Sequence, residues 1–329
     1  MSELRWNPMM EEWVITATHR QDRTFLPPAG FCPLCPTKKG KFPTEIPVES
    51  FEIAVFENKF PSLQRNAPVP AVKPTKLSPV KPAEGICEVV VFTSKHAATL
   101  AGQPLDDIYK LVKVWKDRYE ELGRRNFVEY VFIFENKGEA NGVTLHHPHG
   151  QIYAFPYIPP KIEKELSAAK KHKRKTGRCL FCDILKAEKK DAKRIVCENK
   201  EMTAFIPFYA RYPYEVHIMS KKHRASLAEF SEKELQGFAE ILKTLLLKYD
   251  GLFGISFPYI MVMHQAPTDG KKHDSFHWHM EFYPPLRTAK KLKYLAGCEA
   301  GAGSFINDTL AEEKAVELRK IKVSIKGKT

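Results

Sequence analysis

Along the chain, apolar positions alternate between two periods. Ile86 to Thr93 and Tyr130 to Glu135 are short runs rich in β-branched and aromatic residues, and Val216 to Met219 and Tyr259 to His264 repeat that pattern later. Each predicts a strand. Between the members of each pair lies a longer stretch with helical spacing, Pro104 to Arg125 and Ser231 to Tyr249. In the second, Leu235, Phe238, Ile241, Leu242, Leu245 and Leu246 make a one-sided stripe, which predicts a helix. The pattern therefore predicts an α+β protein of two tandem units, residues 1–169 and 170–329, each an antiparallel sheet with one long helix. The join falls in the basic stretch near Lys170 to Arg178, read as a connector or a solvated helix face. Many of the 24 prolines lie between Pro61 and Pro82, which marks an extended loop.

The two units also share a sequence of stations. The first runs Cys32-Pro33-Leu34-Cys35, then Phe56-Glu57-Asn58-Lys59, then a lone His96, then His147-Pro148-His149. The second runs Cys179-Leu180-Phe181-Cys182, then Cys197-Glu198-Asn199-Lys200, then a lone His223, then His277-Trp278-His279. Four matches in one order identify an internal duplication. The Pro-rich loop accounts for the greater length of the first unit.

Composition narrows the function classes. At 329 residues, 43% of them hydrophobic, the chain buries a real core, which excludes wholesale disorder. No apolar run approaches the ~18 residues of a membrane span, and the first residues carry no signal-peptide core, so a cytoplasmic protein with no membrane association is expected. The net charge of +13 favours acidic partners, phosphorylated small molecules among them. Nucleic acid is disfavoured, because no aromatic residues interleave the basic stretch for base stacking. In a reducing compartment the seven cysteines are thiols or metal ligands before they are disulfides, and Cys87, Cys197 and Cys298 read as packing residues.

Cys-x-x-Cys plus two histidines supplies the four ligands of a closed, structural zinc site. The first unit offers Cys32, Cys35, His96 and His147, and the second Cys179, Cys182, His223 and His277, where His217, His264 and His279 compete as ligands; a redox pair of cysteines would have the same Cys-x-x-Cys spacing. A rival set, Glu165, His264, His279 and Glu281, mixes carboxylate and imidazole and suits iron or zinc. Between Phe134 and Gln151, Gly138 and Gly142 with Asn136 and Asn141 make a loop whose amides can approach a phosphate. With His147 on a metal, His149 faces that loop, and a neutral imidazole is a nucleophile without a separate base. Gln151 can donate a hydrogen bond to a phosphoryl oxygen but cannot deliver a proton. The leaving group must then depart unaided, as a phosphate does, which points to nucleotidyl transfer between phosphates.

His147-Pro148-His149-Gly150-Gln151, with Phe134 to Gly138 before it and Phe282-Tyr283-Pro284-Pro285 after it, resembles the galactose-1-phosphate uridylyltransferase family of the histidine-triad superfamily. The resemblance implies histidine-triad-like halves and a ping-pong reaction. UDP-glucose would place a uridylyl group on His149 and release glucose 1-phosphate. Galactose 1-phosphate would then leave as UDP-galactose. It also implies nucleotide or phosphate contacts for Asn58, Asn136 and Thr144, and a substrate pocket lined by Arg20, Arg23, Lys293, Tyr294 and Glu299, some of them across a homodimer interface with shared active sites. One departure is Glu281, where the family's bacterial form has the third histidine of its second metal site. Another is the second Cys pair, which resembles the two-zinc arrangement of ADP-glucose phosphorylase. Two alternatives therefore stand beside the transferase: an ADP-sugar phosphorylase, and a non-catalytic zinc protein that binds nucleic acid.

Overall fold

A computed structural model describes residues 2–22, 27–28 and 30–325. In the first half, β1 (Ser2–Asn7) and β2 (Glu12–Ala17) form a hairpin, followed by β3 (Ala54–Glu57), β4 (Val80–Pro82), β5 (Ile86–Val91), helix α1 (Leu105–Gly123), β6 (Tyr130–Lys137) and β7 (His149–Phe155). Helices α2 (Pro160–Thr176) and α3 (Leu180–Asp191) then lead into β8 (Ile195–Glu198), β9 (Met202–Phe205), β10 (Val216–Ser220), α4 (Glu232–Phe253), β11 (Tyr259–His264) and β12 (His279–Tyr283). A short hairpin, β13 (Leu286–Thr288) and β14 (Lys291–Leu292), precedes α5 (Gly297–Ala302) and α6 (Ala311–Lys320). Every strand and helix expected from periodicity is present.

The two predicted sheets are one. Nine strands run in the order β3-β5-β7-β6-β11-β12-β10-β9-β8, with β6 of the first half paired antiparallel to β11 of the second. Joining the halves through their inner strands gives each unit's open edge a partner, which removes an exposed ladder of backbone groups. On one face lie α1 and α4. Their apolar stripes meet over the sheet, with Trp115 beside Phe92 and Phe238, and Phe238 packed on Trp278 at 4.7 Å between ring centroids. A capping box at Ser231 and Glu234 starts α4.

The opposite face is covered differently in each half. Over the second half, α2 and α3 bury Ile162, Leu166, Phe181 and Leu185 against Phe205, Met219 and Phe276. The basic stretch is thus the outer face of α2 rather than a connector, and the helix stops at Gly177, whose φ of +75° suits the left-handed cap. Over the first half, the Cys32–Cys35 turn seats Leu34 against Val89 and Val91, and the small sheet β2-β1-β4 covers Cys87. Cys197 is partly buried as a packing residue, whereas Cys298 is exposed, contrary to its reading as a packing residue.

The repeat breaks at one station with a clear cause. After Asn199 the chain turns back as β9, which lies between β8 and β10. After Asn58 come Phe60 and Pro61, and a proline cannot supply the ladder N–H. β3 therefore pairs directly with β5.

Candidate active site and metal centres

Folding brings each expected Cys and His set together. In the first half, Cys35 Sγ lies 3.5 Å from both His96 Nδ1 and His147 Nδ1, and Cys32 Sγ is 3.8 Å from His147 Nδ1. His147 is buried, and its Nε2–H donates to the Thr93 carbonyl at 2.7 Å. That bond leaves the Nδ1 lone pair aimed at the thiols, the orientation a metal ligand needs. Burial lowers the His147 pKa, so the ring is neutral, and the same burial pushes the Cys32 thiol up to about 11. The second half repeats the device. Cys182 Sγ is 3.5 Å from His223 Nδ1 and 3.3 Å from His277 Nδ1, and His277 Nε2 meets the Ser220 carbonyl at 3.0 Å.

The rival carboxylate set does not compete with this one; both form. His264 Nδ1 lies 3.0 Å from both oxygens of Glu165, and His279 Nε2 is 3.7 Å from Glu165 and 3.4 Å from Glu281. Among the described residues these three groups, and a fourth made of Glu215, His217 and Glu281, have ligand atoms close enough to hold a metal ion. Sequence reasoning missed the surroundings of the third. His217, the direct cross-strand partner of Glu281, lies 3.0 Å from Glu215 and 3.5 Å from Glu281. Lys161 and Arg211 reach the other Glu281 oxygen at 2.6 and 3.2 Å. Burial opposes ionisation of Glu281, yet His217, His264 and Lys161 hold its pKa well below the usual carboxylate range. A lone histidine on a predicted strand gives no sign of this; only the β10–β12 register reveals it.

The first half puts the expected nucleophile at a cavity of about 520 Å³. His149 opens β7, and its Nδ1–H donates to the His147 carbonyl at 2.7 Å. This fixes the tautomer with the lone pair on Nε2. His279 makes the same bond to the His277 carbonyl at 2.9 Å, but it is buried among carboxylates. Gln151, two residues on from His149, lines the cavity with Asn58, Thr144 and Leu145, and Phe31, Leu34 and Phe56 supply apolar wall. Asn136 and His149 share an adjoining cavity of about 370 Å³. Gly150 is required between His149 and Gln151, because a Cβ there would meet Phe92 at 2.9 Å and the Phe134 carbonyl at 3.0 Å.

The remaining expected residues are placed elsewhere. Arg20 donates to the Phe60 carbonyl and to Ser62 Oγ, both at 2.9 Å, and so anchors the loop after Asn58. Arg23 lies outside the described residues. Lys293 and Glu299 form a buried pair at 3.1 Å, and Tyr294 is exposed. None of these three lines either cavity that His149 lines.

A duplicated α+β chain whose His149 and Gln151 line one cavity of about 520 Å³ fits a group-transfer enzyme. The models for the N-terminal and C-terminal domains of galactose-1-phosphate uridyl transferase match residues 1–159 and 165–328. The galactose-1-phosphate uridylyltransferase of Thermotoga maritima is 43% identical over 326 residues, covering 99% of this chain and all of the relative. That of Haemophilus influenzae is 34% identical over 96% of this chain and 93% of its own. A solved uridylyltransferase structure, 36% identical, superposes with a TM-score of 0.86 over 96% of this chain and 97% of its own. The chain belongs to the galactose-1-phosphate uridylyltransferase family. Among the described residues no helix is long and apolar enough to cross a membrane.

Proposed function

We propose that this chain transfers UMP from UDP-glucose to galactose 1-phosphate, giving UDP-galactose and glucose 1-phosphate, through a uridylyl group carried on His149. The observation that carries this reading is the bond from His149 Nδ1 to the His147 carbonyl, which puts the proton on Nδ1 and the ring's lone pair on Nε2. In the first half-reaction that lone pair bonds to the α-phosphorus of UDP-glucose. The P–O bond to glucose 1-phosphate breaks, and its electron pair leaves on a phosphate oxygen that needs no proton. In the second, an oxygen of galactose 1-phosphate attacks the same phosphorus and the P–N bond breaks. Gln151 donates an N–H to the phosphoryl oxygens as negative charge builds there, the role of an oxyanion-hole donor. Thr144 and Asn136, which line the two cavities at His149, would contact the nucleotide or its phosphates.

The two Cys2His2 sets suit zinc, since soft thiolates and oriented imidazoles complete a closed tetrahedral shell. Glu165, His264, His279 and Glu281 suit zinc or iron, with hard and borderline donors together. When bound, a metal at His147 supplies rigidity: it fixes the backbone that holds His149.

The chain works as a homodimer with shared sites. Tyr294, Leu295, Phe305 and Ile306 form an exposed apolar edge beside the buried Lys293–Glu299 pair. The substrate contacts of Lys293, Tyr294 and Glu299 are then made to the partner's nucleotide, and Arg20 and Arg23 belong to the same set of substrate contacts. Mixing the enzyme with UDP-glucose and galactose 1-phosphate, and in parallel with ADP-glucose and phosphate, tests the substrate reading. UDP-galactose formed in the first mixture alone supports it; turnover confined to the second overturns it.

A further inference from the structure

Two of the metal sets adjoin each other, and the chain ties them together at three places. We propose that the set of Cys179, Cys182, His223 and His277 is the platform on which the set of Glu165, His264, His279 and Glu281 is assembled, so that the carboxylate set fills only once the cysteine set is filled; this rests on the metal assignment above. The first tie is His277-Trp278-His279. The His277 ring presents Nδ1 to Cys182 Sγ at 3.3 Å, while its carbonyl accepts the His279 Nδ1–H at 2.9 Å. That bond fixes the tautomer and leaves the His279 lone pair on Nε2, 3.7 Å from Glu165 and 3.4 Å from Glu281. The second tie is Phe181, inside the turn that the two cysteines close. Its ring lies 5.1 Å from the His279 ring, tilted by 31°, and is itself wedged edge-on against Phe276 at 5.3 Å. The third is the corner between α2 and α3. Cys179 caps the start of α3, and Asp183, next to Cys182, accepts from His172 of α2 at 2.8 Å and from Arg178 at 3.0 Å. Helix α2 carries Glu165, which meets His264, and Lys161, which holds the other oxygen of Glu281 at 2.6 Å. Dependence runs one way, because the His277 ring is held from its far side by the Ser220 carbonyl at 3.0 Å and draws on no member of the carboxylate set.

The first half supplies an internal comparison. It keeps the first tie, from His149 to the His147 carbonyl, and lacks the other two. Leu34 stands where Phe181 does and lines the cavity beside His149, and the chain runs from Cys35 to β3 without a helix. The imidazole two residues beyond the proposed zinc ligand thus faces a cavity in one half. In the other it is walled in by Phe181 and faced by the carboxylates of α2 and β12.

Metal ions per chain, counted by plasma mass spectrometry on full-length protein produced with zinc and ferrous iron supplied, test the order of assembly. The parent should hold three, one for each of the three separate sets. Glu165→Ala should hold two, and so should Cys32→Ser, the matched loss of one thiol in the first half. Cys182→Ser should hold one, because the carboxylate set empties with the cysteine set. Phe181→Leu keeps every ligand and substitutes the side chain that the first half uses. It should retain zinc on the cysteines yet bind the third ion ~10- to 10²-fold more weakly in chelator competition, the range for losing a group that orients a ligand. Two ions in Cys182→Ser, or parental retention of the third ion in Phe181→Leu, overturns the proposal; a Cys182→Ser chain that fails to fold leaves the decision to Phe181→Leu. Loss of two ions from Glu165→Ala reverses the order and overturns it as well. A parent with fewer than three ions overturns the metal assignment and this proposal together, whereas a parent with three ions and independent losses overturns this proposal alone.

Discussion

Gly150→Ala adds one methyl group between His149, the proposed nucleophile, and Gln151, and the structure sets what that methyl meets. Its Cβ would lie 2.9 Å from the tip of the Phe92 ring, 3.3 Å from the next ring carbon and 3.0 Å from the Phe134 carbonyl, where ordinary contact is 3.4–4 Å. Phe92 cannot swing away, because it is 2% exposed and packed edge-on against Trp115. The carbonyl belongs to β6, which is paired on both sides, to β7 and β11. The least constrained response is a displacement of β7 by several tenths of an ångström, carrying His149 and Gln151 with it. Overpacking of this kind costs about 1–3 kcal/mol of stability. A nucleophile displaced toward 1 Å loses on the order of 10²-fold in rate, so a shift of this size should slow adduct formation ~10- to 10²-fold. Differential scanning calorimetry and single-turnover adduct formation with UDP-glucose measure both. A variant with parental rate and an unchanged melting temperature would refute the reasoning, because the close approach of β7 to Phe92 and β6 would then place no constraint on the site.

Other perturbations separate the parts of the account. His149→Ala should abolish adduct formation and exchange while its melting temperature stays within ~2 °C of the parent, as none of the metal sets uses that ring. Metal analysis of purified protein should show two zinc ions per chain at the Cys2His2 sets, and Cys32→Ser should remove one and lower the melting temperature on calorimetry. Glu135 is buried against the Tyr259 hydroxyl, and burial raises its pKa to about 7. The folded state then binds a proton that the unfolded chain gives up near the ordinary carboxylate range, so stability falls as pH rises toward 7. Glu135→Gln should match the parent near pH 4 and exceed it by up to about 3 kcal/mol at pH 8 in urea titrations, from 1.36 kcal/mol per pKa unit. Lys248 donates to the carbonyls of Leu318 and Ile321 at the end of α6, at 3.1 and 2.7 Å. Lys248→Met should cost about 1–3 kcal/mol, measured by denaturant unfolding, by leaving those acceptors unpaired.

What could be read in advance follows the reach of each signal. Strands such as Tyr259–His264 and the helix from Ser231 were legible because periodicity is local. The Cys2His2 sets were legible because a duplicated order of stations implies a duplicated geometry. Pairing across the chain was not: nothing local says that β6 should meet β11, so one sheet looked like two. The network of Glu215, His217, Lys161 and Arg211 around Glu281 stayed hidden for the same reason, since its members come from α2, the loop before β10, and two paired strands. Resemblance named Lys293, Tyr294 and Glu299, but it carried no information on where one chain places them. The divergence of the two Asn-Lys stations was written in Pro61, whose effect shows only when the strand it prevents is seen in the other half.

The central claim is that His149 carries the uridylyl group. Protein mixed with UDP-glucose alone, quenched under alkaline conditions and digested, should yield one modified peptide, with UMP on the His149 ring. Adding galactose 1-phosphate before the quench should erase the adduct and release UDP-galactose in equal amount. A uridylyl group on any other residue, or one that galactose 1-phosphate leaves in place, would contradict the account.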